Sequence, residues 1–277
     1  MLITKFNGLE VKVEFFKFPA GEWHCNLGAL INCDFERCGI TLIRPDSDDI
    51  IKSLLLIDCI RSTLNDNIKI YLNVPYLPYS RQDKRHNVGD PLSLEVFLRL
   101  YKYIDYMITY DAHNLENTLE LEARYKISNI SNCQFIKNIL DNSYYDFLVC
   151  PDEGAKTKFQ ELLTNFSDKD FKVVYCHKKR DPKTGKLSGF GFDDESNLPS
   201  PMGKGLLIDD ICDGGGTFIG LSKLFTDKLL SLDLAVSHGI FSKGLDELMK
   251  SFHYIYTTNS YCSLDHERLF IKNVISN

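Results

Sequence analysis

The chain has 277 residues, of which 44% are hydrophobic, and 32 Lys and Arg against 38 Asp and Glu give a formal net charge of −6. This length suits two domains of about 100–200 residues each, although one large α/β domain also fits. The negative net charge excludes a general attraction to nucleic acid or to an anionic membrane. Any phosphate binding must therefore depend on local residues.

The cysteines and the N-terminal segment indicate the compartment. There are 9 cysteines, an odd number, and none forms a CxxC pair, so we interpret them as reduced thiols. Residues 1–16 lack a basic region followed by an apolar stretch, and no run approaches the ~18 apolar residues of a membrane span. We expect a cytoplasmic protein without a membrane or nucleic-acid partner.

Apolar runs rich in β-branched and aromatic residues alternate with stretches of helical period, which is typical of βαβ units around a largely parallel sheet. The predicted strands are 11–16, 40–43, 68–74, 106–110, 145–150, 172–176, 205–208 and 231–235. The predicted helices are 48–64, 92–103, 133–141, 155–164, 215–225 and 244–251. The pattern predicts an α/β protein, divided most simply into domains 1–137 and 138–277.

Pro and Gly concentrate in two long connections, residues 74–91 and 181–203. The first contains the charged run Pro75-Tyr-Leu-Pro-Tyr-Ser-Arg-Gln-Asp-Lys-Arg85. A guanidinium suits phosphate oxygens and Gln can pair with an adenine edge, although taken alone such a run is more simply a solvated charged loop. The second connection is polar and contains Gly, which is typical either of an active-site flap or of disorder.

Polar residues follow several predicted strands. His113 and Asp152 should therefore lie at carboxyl ends of strands, the edge where open α/β sheets bind ligands. In isolation His113 is more simply a structural histidine than a ligand. The run His177-Lys-Lys-Arg180 ends another strand and supplies cations of the kind that phosphoryl transfer needs, with a surface cationic run as the alternative.

The most informative segment is Gly205-Leu-Leu-Ile-Asp-Asp-Ile-Cys-Asp-Gly-Gly-Gly-Thr217. Its glycines allow a tight turn that brings N–H groups next to an anion, and the following helix adds further donors. We expect Asp209 and Asp210 at the end of the strand, where their carboxylates can accept hydrogen bonds from two ribose hydroxyls. In the simpler interpretation the glycines only form a turn and Asp213 caps the helix.

Over roughly residues 16–260, the chain resembles the ribose-phosphate pyrophosphokinases, or PRPP synthetases. Its segment from Gly205 to Thr217 is similar to the PRPP-binding loop of type I phosphoribosyltransferases and PRPP synthetases, in which a strand precedes Asp-Asp and then Asp-Thr-Gly-Gly-Thr. It departs at Gly214, where the family usually has Thr beside the 5-phosphate. The run from Pro75 to Arg85, with Gly89-Asp-Pro91 after it, resembles the synthetase segment P-Y-x-x-Y-x-R-Q-D-[RK]-[RK].

The resemblance implies a role for each matching residue. Asp111-Ala-His113 is similar to D-L-H and Cys150-Pro-Asp-Glu-Gly-Ala155 to S-P-D-x-G-G, which implies that His113 and Asp152 contact Mg²⁺. The family's D-K-R-R implies Lys178 and Arg180 as catalytic cations. The implied ATP-binding residues are Phe18, Glu22, Arg81, Gln82 and Lys84. The implied ribose-phosphate-binding residues are Asp209, Asp210, Asp213, Gly214, Gly215, Gly216 and Thr217.

Two further segments bear on assembly and fold. Phe18-Pro-Ala-Gly-Glu22 resembles F-S-D-G-E, which reaches the adenine of a neighbouring subunit, although Ala20 replaces the aspartate. This implies a homo-oligomer that is dimer-based and extends up to a hexamer. Val236-Ser-His-Gly-Ile-Phe-Ser242 resembles A-T-H-G-x-F-S and is interpreted as architectural. The implied fold is two type I phosphoribosyltransferase-like domains, the first carrying the ATP site and the second the PRPP-type loop and the catalytic flap.

The implied activity is a Mg²⁺-dependent transfer of the β,γ-diphosphate of ATP to the anomeric hydroxyl of a ribose 5-phosphoryl substrate, with release of AMP. Ribose 5-phosphate would give PRPP. Gly214 keeps ADP-ribose open as an acceptor for NAD resynthesis, because some synthetase-like enzymes of phage type are similar in their Asp-Gly-Gly turn. The alternatives are a phosphoribosyltransferase, against which the ATP-loop motif argues, and an inactive synthetase-like partner, against which Lys178 and Arg180 argue.

Overall fold

The structure, a computed structural model, describes residues 1–64, 67–85, 87–114, 123–166, 171–180, 187–195, 198, 202–226 and 229–275. The chain divides into two compact units, residues 1–130 and 131–277. The first helix of unit 2 spans Cys133–Asn142, so the boundary expected after residue 137 falls inside that helix.

Unit 1 is an α/β layer with a small hairpin beside it. Its strands are β1 Leu2–Phe6, β2 Leu9–Glu10, β3 Phe15–Lys17, β4 Trp23–Cys25, β5 Arg37–Leu42, β6 Lys69–Asn73, β7 Tyr106–Tyr110 and β8 Ile127–Ile130. Its described helices are α1 Ser47–Thr63 and α2 Ser93–Leu100. The main sheet has the order β2-β1-β5-β6-β7-β8, and β3 pairs with β4. Strands β5 to β8 are parallel, whereas β1 is antiparallel to both of its neighbours.

Apolar residues at alternate positions of the parallel strands form the core of unit 1. On β6, Ile70 and Leu72 are buried in one cluster with Leu56 and Ile60 of α1, while the intervening residues face away. Helix α1 begins at a defined point because Asp46 Oδ1 accepts a hydrogen bond of 2.7 Å from the N–H of Asp49. This packing leaves the carboxyl ends of β6 and β7 to carry the loops with candidate ligand-binding residues.

Unit 2 is built on a longer and mostly parallel sheet. Its strands are β9 Phe147–Cys150, β10 Lys172–Arg180, β11 Leu187–Phe192, β12 Met202–Cys212, β13 Leu229–Gly239, β14 Ile255–Thr258 and β15 Leu269–Lys272. Its helices, within the described ranges, are α3 Cys133–Asn142, α4 Lys156–Thr164, α5 Gly216–Ser222 and α6 Asp246–Ser251. The strand order is β11-β10-β9-β12-β13-β14-β15, and the pair β10 and β11 is antiparallel. Every residue of the interior strand β9 is buried.

The expected α/β class, with parallel sheets flanked by helices, is confirmed. One strand prediction was wrong, because residues 11–14 are irregular and separate β2 from β3. Strand β12 runs to Cys212, four residues past its predicted end. No helix in the described part of the chain is both long enough and apolar enough to cross a bilayer.

The polar connection after Arg180 is partly a strand. Residues 187–192 form β11 and return along β10, with Lys178 opposite Phe190. Phe192 packs edge-on against Phe225 at 5.2 Å between ring centroids. Glycines at alternate positions weaken the strand pattern, so sequence periodicity missed this element. The rest of the predicted flap, at 181–186, 196–197 and 199–201, lies outside the described residues.

Candidate active site

Two adjacent acids lie near the carboxyl end of β12. Asp209 and Asp210 are within the strand and not beyond its end, which corrects the sequence expectation. The side chain of Asp210 is only 6% exposed, and its Oδ2 lies 3.5 Å from Lys158 Nζ on α4. The N–H of Asp210 donates to Asp209 Oδ1 at 2.9 Å. Protein groups therefore already occupy part of the hydrogen-bonding capacity of the two carboxyls. Lys158 is a partner that the sequence motif did not indicate.

The surroundings of Asp209 disfavour the charged form of its carboxyl. Burial, reinforced by the negative charge of Asp210, raises the pKa of the Asp209 carboxyl well above its ordinary value. The N–H of Asp210 and the ammonium group of Lys158 offset only part of this effect.

The glycine-rich turn that follows has a fixed backbone. Gly215 adopts φ +75°, which favours glycine, and a Cβ there would lie 3.0 Å from Leu248 Cδ2, so that side chain would have to shift. Gly215, and not Asp213, is the N-cap of α5. Asp213 Oδ1 instead accepts a hydrogen bond of 2.6 Å from Ser242 Oγ. The simpler interpretation, in which Asp213 caps the helix, was therefore wrong.

The segment after β13 holds this turn in place. The N–H groups of Ile240 and Phe241 both donate to Cys212 O, at 2.9 and 3.1 Å, and that of Ser242 donates to Asp213 O at 3.2 Å. His238 is buried, with Nδ1 2.7 Å from Ser260 Oγ. Segment 236–242 thus anchors the turn through its backbone, as an architectural role requires.

The candidate metal-binding acid and the candidate catalytic lysine are in direct contact. Asp152 follows β9, and its Oδ1 accepts a hydrogen bond of 3.2 Å from the N–H of Ala155. Its Oδ2 lies 2.6 Å from Lys178 Nζ on β10. The structure therefore brings Asp152 and Lys178 together as an ion pair, whereas the side chain of Arg180 lies outside the described residues.

His177, on the same strand, belongs to a second polar network with Asp193 and Lys156. His177 Nδ1 is 2.8 Å from Asp193 Oδ1, and Lys156 Nζ is 2.8 Å from Asp193 Oδ2. The hydrogen bond from Lys156, followed by that from His177, lowers the pKa of the Asp193 carboxyl. Successive residues of a strand point to opposite faces, so this network fixes the strand from the face opposite Lys178. No sequence motif indicated Asp193.

In unit 1 the predicted ATP-binding loop is shaped by backbone bonds. Tyr79 adopts φ +63°, and its carbonyl accepts a hydrogen bond of 2.8 Å from the N–H of Gln82. Asp83 Oδ2 accepts from Asn114 Nδ2 at 2.7 Å, which ties the loop to the segment after β7. The predicted ligand-binding side chains of this loop are exposed: Arg81, Gln82 and Lys84.

The segment that carries His113 turns sharply after β7. Asp111 is buried with φ +44°, and its N–H donates to Ile130 O at 2.8 Å. The N–H of Ala112 donates to Asn129 Oδ1 at 3.0 Å. These bonds present His113 at the surface, at the carboxyl edge of the sheet where it was predicted.

The hairpin formed by β3 and β4 displays exposed aromatic rings. Phe18 is 46% exposed, and its ring centroid lies 5.1 Å from that of Phe16 and 5.8 Å from that of His24. The N–H of Phe18 donates to Glu22 O at 2.8 Å, which closes the turn around Ala20. Within the described ranges, no hydrogen bond or ion pair joins Phe18 or Glu22 to residues 81–84.

The side chains of this site could bind a metal ion only together with oxygen atoms of a bound substrate. Among the residues that the structure describes, no three His, Cys, Asp or Glu side chains are grouped to hold a metal ion. Mg²⁺ commonly binds through one or two carboxylates, with phosphate oxygens and waters completing its shell, and Asp152 fits that mode. Burial raises the pKa of the thiols of Cys150 and Cys176 to about 12, so neither is a ready nucleophile.

Comparison with known proteins places these features in context. No family model matches the sequence. Ribose-phosphate pyrophosphokinases from Pyrococcus furiosus and Thermoplasma volcanium are 28% and 26% identical, covering 90% and 88% of this chain and 85% and 82% of theirs. The crystal structure of phosphoribosylpyrophosphate synthetase from Mycobacterium smegmatis matches with a TM-score of 0.79 and 18% identity, over 97% of this chain and 88% of that one. The resemblance is thus confirmed: the chain is similar in sequence to ribose-phosphate pyrophosphokinases and shares the fold of a phosphoribosylpyrophosphate synthetase.

Proposed function

We propose that the protein is a ribose-phosphate diphosphokinase that transfers the β,γ-diphosphate of ATP to the anomeric hydroxyl of ribose 5-phosphate, giving PRPP and AMP. The observation that carries this proposal is the arrangement in unit 2, where an acidic pair and an anchored glycine turn share one strand end. Lys178 is held beside the same sheet edge by Asp152. Sequence similarity to the pyrophosphokinases over about 90% of the chain supports it.

The proposed reaction is an in-line displacement at the β-phosphorus of ATP. The anomeric oxygen forms a bond to this phosphorus as the bond to the α,β-bridging oxygen breaks. AMP leaves with that oxygen, and the hydroxyl proton passes to solvent. Such a reaction needs mainly positioning and compensation of negative charge, without a covalent protein intermediate. Lys178 and Arg180 are the cations that we assign to this charge.

The acceptor is assigned to the end of β12. Asp209 and Asp210 lie near the carboxyl end of β12, and we assign to their carboxyls the 2- and 3-hydroxyls of the ribose. The backbone N–H groups of the turn from Asp213 to Thr217 are assigned to the 5-phosphate. Because Lys158 pairs with Asp210, it keeps that carboxyl oriented for the sugar.

ATP is assigned to unit 1 through Arg81, Gln82 and Lys84, with Phe18 and Glu22 contributing to adenine in a neighbouring subunit. We assign Mg²⁺ to Asp152 in unit 2 and to His113 in unit 1, each by itself, where it would neutralise charge on the ATP phosphates. Lys178 must leave Asp152 Oδ2 before that carboxylate can hold a cation. When this ion pair breaks, the ammonium group of Lys178 becomes available to the diphosphate.

The test is the conversion of ATP to AMP by the purified protein with Mg²⁺, with and without ribose 5-phosphate. We expect AMP only when the acceptor is present, with one PRPP formed per AMP. Lys178→Ala is the inactive control. AMP formation that does not depend on an acceptor would contradict the proposal.

ADP-ribose is the second candidate acceptor, and the absence of a side chain at Gly214 favours it. A phosphate bound there could carry a further group out of the site once the flexible side chain of Lys243, which lies over Gly214, moves aside. We would compare kcat/KM for ribose 5-phosphate and ADP-ribose in the same assay. A tenfold preference for ribose 5-phosphate rejects this candidate, whereas the reverse preference, abolished by Gly214→Thr, establishes it.

Assembly and compartment are part of the proposal. The exposed Phe16 and Phe18 rings of the hairpin fit a contact with a second subunit, so we infer a homo-oligomer. The nine cysteines are free thiols, which fits a cytoplasmic setting. Light scattering that shows a fully active monomer would contradict the inferred oligomer.

A further inference from the structure

Lys243 belongs to the short segment between β13 and α6, directly over the glycine turn. The segment is held to the turn by the backbone bonds from Ile240, Phe241 and Ser242 to Cys212 and Asp213. Phe241 is buried and adopts φ +47°, and its carbonyl accepts a hydrogen bond of 2.8 Å from the N–H of Gly244. The backbone on both sides of Lys243 is therefore fixed relative to the turn.

The side chain of Lys243 covers the position where Gly214 lacks one. A Cβ added at Gly214 would lie 3.4 Å from both Cδ and Cε of Lys243, which is ordinary van der Waals distance. Lys243 itself is exposed, and in the described part of the chain it makes no ion pair. The neighbouring carboxylate of Asp213 is engaged by Ser242. An ammonium group thus stands beside the turn without a carboxylate partner.

The negative charge near the turn favours a cation at this position. Asp209, Asp210 and Asp213 all lie within five residues of one another, and Lys158 pairs with Asp210. A phosphate brought to this turn meets repulsion from the carboxylates of Asp210 and Asp213, while the backbone N–H groups carry only partial charge. A second lysine at the turn offsets that repulsion.

We propose that Lys243 binds the 5-phosphoryl group of the acceptor and selects phosphorylated ribose over ribose. The inference rests on the proposed function for the location of the acceptor and deepens it by assigning the phosphate contact to a side chain outside the motif. The ligand chemistry is a 5-phosphoryl ribose, whose phosphate is a terminal monoester in ribose 5-phosphate and part of a diphosphate in ADP-ribose.

The test is calorimetric binding of ribose 5-phosphate, ADP-ribose and unphosphorylated ribose to the full-length protein, which does not require turnover. Lys243→Met keeps the length of the side chain and removes its charge, and Lys243→Arg keeps the charge. We expect Met to weaken binding of ribose 5-phosphate by roughly 10-fold or more, as for a lost hydrogen bond between charged groups, and Arg to restore most of it.

Two controls separate binding from a structural effect. Lys250→Met removes an exposed lysine of α6 and should leave acceptor binding unchanged. The affinity for unphosphorylated ribose should be the same in Lys243→Met and the unmodified protein. Thermal unfolding reports the fold of each variant, and Lys243→Gln replaces the Met variant if that one does not fold.

The outcomes distinguish the inference from the proposed function. Equal affinity of Lys243→Met and the unmodified protein for ribose 5-phosphate, or no binding of either acceptor by the unmodified protein, would overturn the inference. If binding depends on Lys243 but no AMP forms, the result supports the inference about Lys243 and contradicts the proposed diphosphokinase activity. A larger loss for ribose 5-phosphate than for ADP-ribose supports the monoester as ligand, and the opposite order supports the diphosphate.

Discussion

The carboxyl edges of the two sheets carry their charged residues in different ways. In unit 2, Asp152 pairs with Lys178 and Asp210 with Lys158, and all four side chains are at least partly buried. In unit 1, the side chains of Arg81, Gln82 and Lys84 are exposed, and the bonds that shape their loop come from the backbone and from Asp83. The first edge is held by ion pairs within the protein, whereas the second presents exposed side chains.

This difference predicts which kinetic constants each edge controls. Groups held in place by the protein can act on the transition state, so their loss lowers kcat. Exposed side chains that contact a nucleotide away from the reacting atoms contribute mainly to binding, so their loss raises KM. The substitutions below test that division.

The largest effect is expected for Lys178→Ala. Removal of a cation next to the transferred group should lower kcat by about 10³, with ATP affinity nearly unchanged. Single-turnover AMP release and equilibrium ATP binding measure the two quantities. An increase in KM alone, at unchanged kcat, would remove Lys178 from the chemistry.

The acidic pair should respond next. Asp210→Asn loses a charged hydrogen-bond acceptor and should weaken acceptor binding by roughly 10-fold. Lys158→Met should weaken it less, because Asp210 remains, and Lys158→Arg should restore it. Titration calorimetry with ribose 5-phosphate checks this order, and unchanged affinity in Asp210→Asn would place the sugar elsewhere.

A smaller effect is expected in unit 1. Arg81→Ala should raise KM for ATP by about 10-fold and leave kcat and KM for the acceptor within about 3-fold. Arg99→Ala is the matched control, since Arg99 is an exposed arginine of α2 whose partner is Glu95. If both variants raise KM for ATP equally, the loop has no specific role.

The smallest effect concerns stability. The pKa of Asp209 is raised, so the folded protein favours the protonated acid and loses stability as pH rises from the unfolded pKa through the folded one. Asp209→Asn removes this loss and should increase the free energy of unfolding at neutral pH. Denaturant titrations should show the difference from the unmodified protein shrinking as pH falls below about 4. If the Asn variant were less stable at neutral pH, the claim that the charged Asp209 carboxyl destabilises the fold would be contradicted.

Sequence reasoning predicted the elements that have a strong local pattern. Strand β7 was predicted at its observed bounds, and helix α1 within one residue at each end. The same reasoning placed Asp152 and His113 after their strands, because each strand has a clear apolar run followed by a polar residue. These features depend on neighbours in the chain.

What the sequence did not reveal depends on contacts between distant segments. Lys158 and Asp210 are 52 residues apart, and Ser242 and Asp213 are 29 apart. Lys243 covers Gly214 only because the backbone after β13 folds onto the turn. Residue types and spacing give no signal for such pairs, so the motif indicates the candidate site and the fold supplies the partners of its residues.

One measurement tests the central claim most directly, namely ³¹P NMR of the protein incubated with MgATP and ribose 5-phosphate. The account predicts that the β and γ signals of ATP are replaced by a diphosphate ester of ribose together with AMP, in equal amounts. Release of ADP and inorganic phosphate, or consumption of ATP at the same rate without the acceptor, would contradict it.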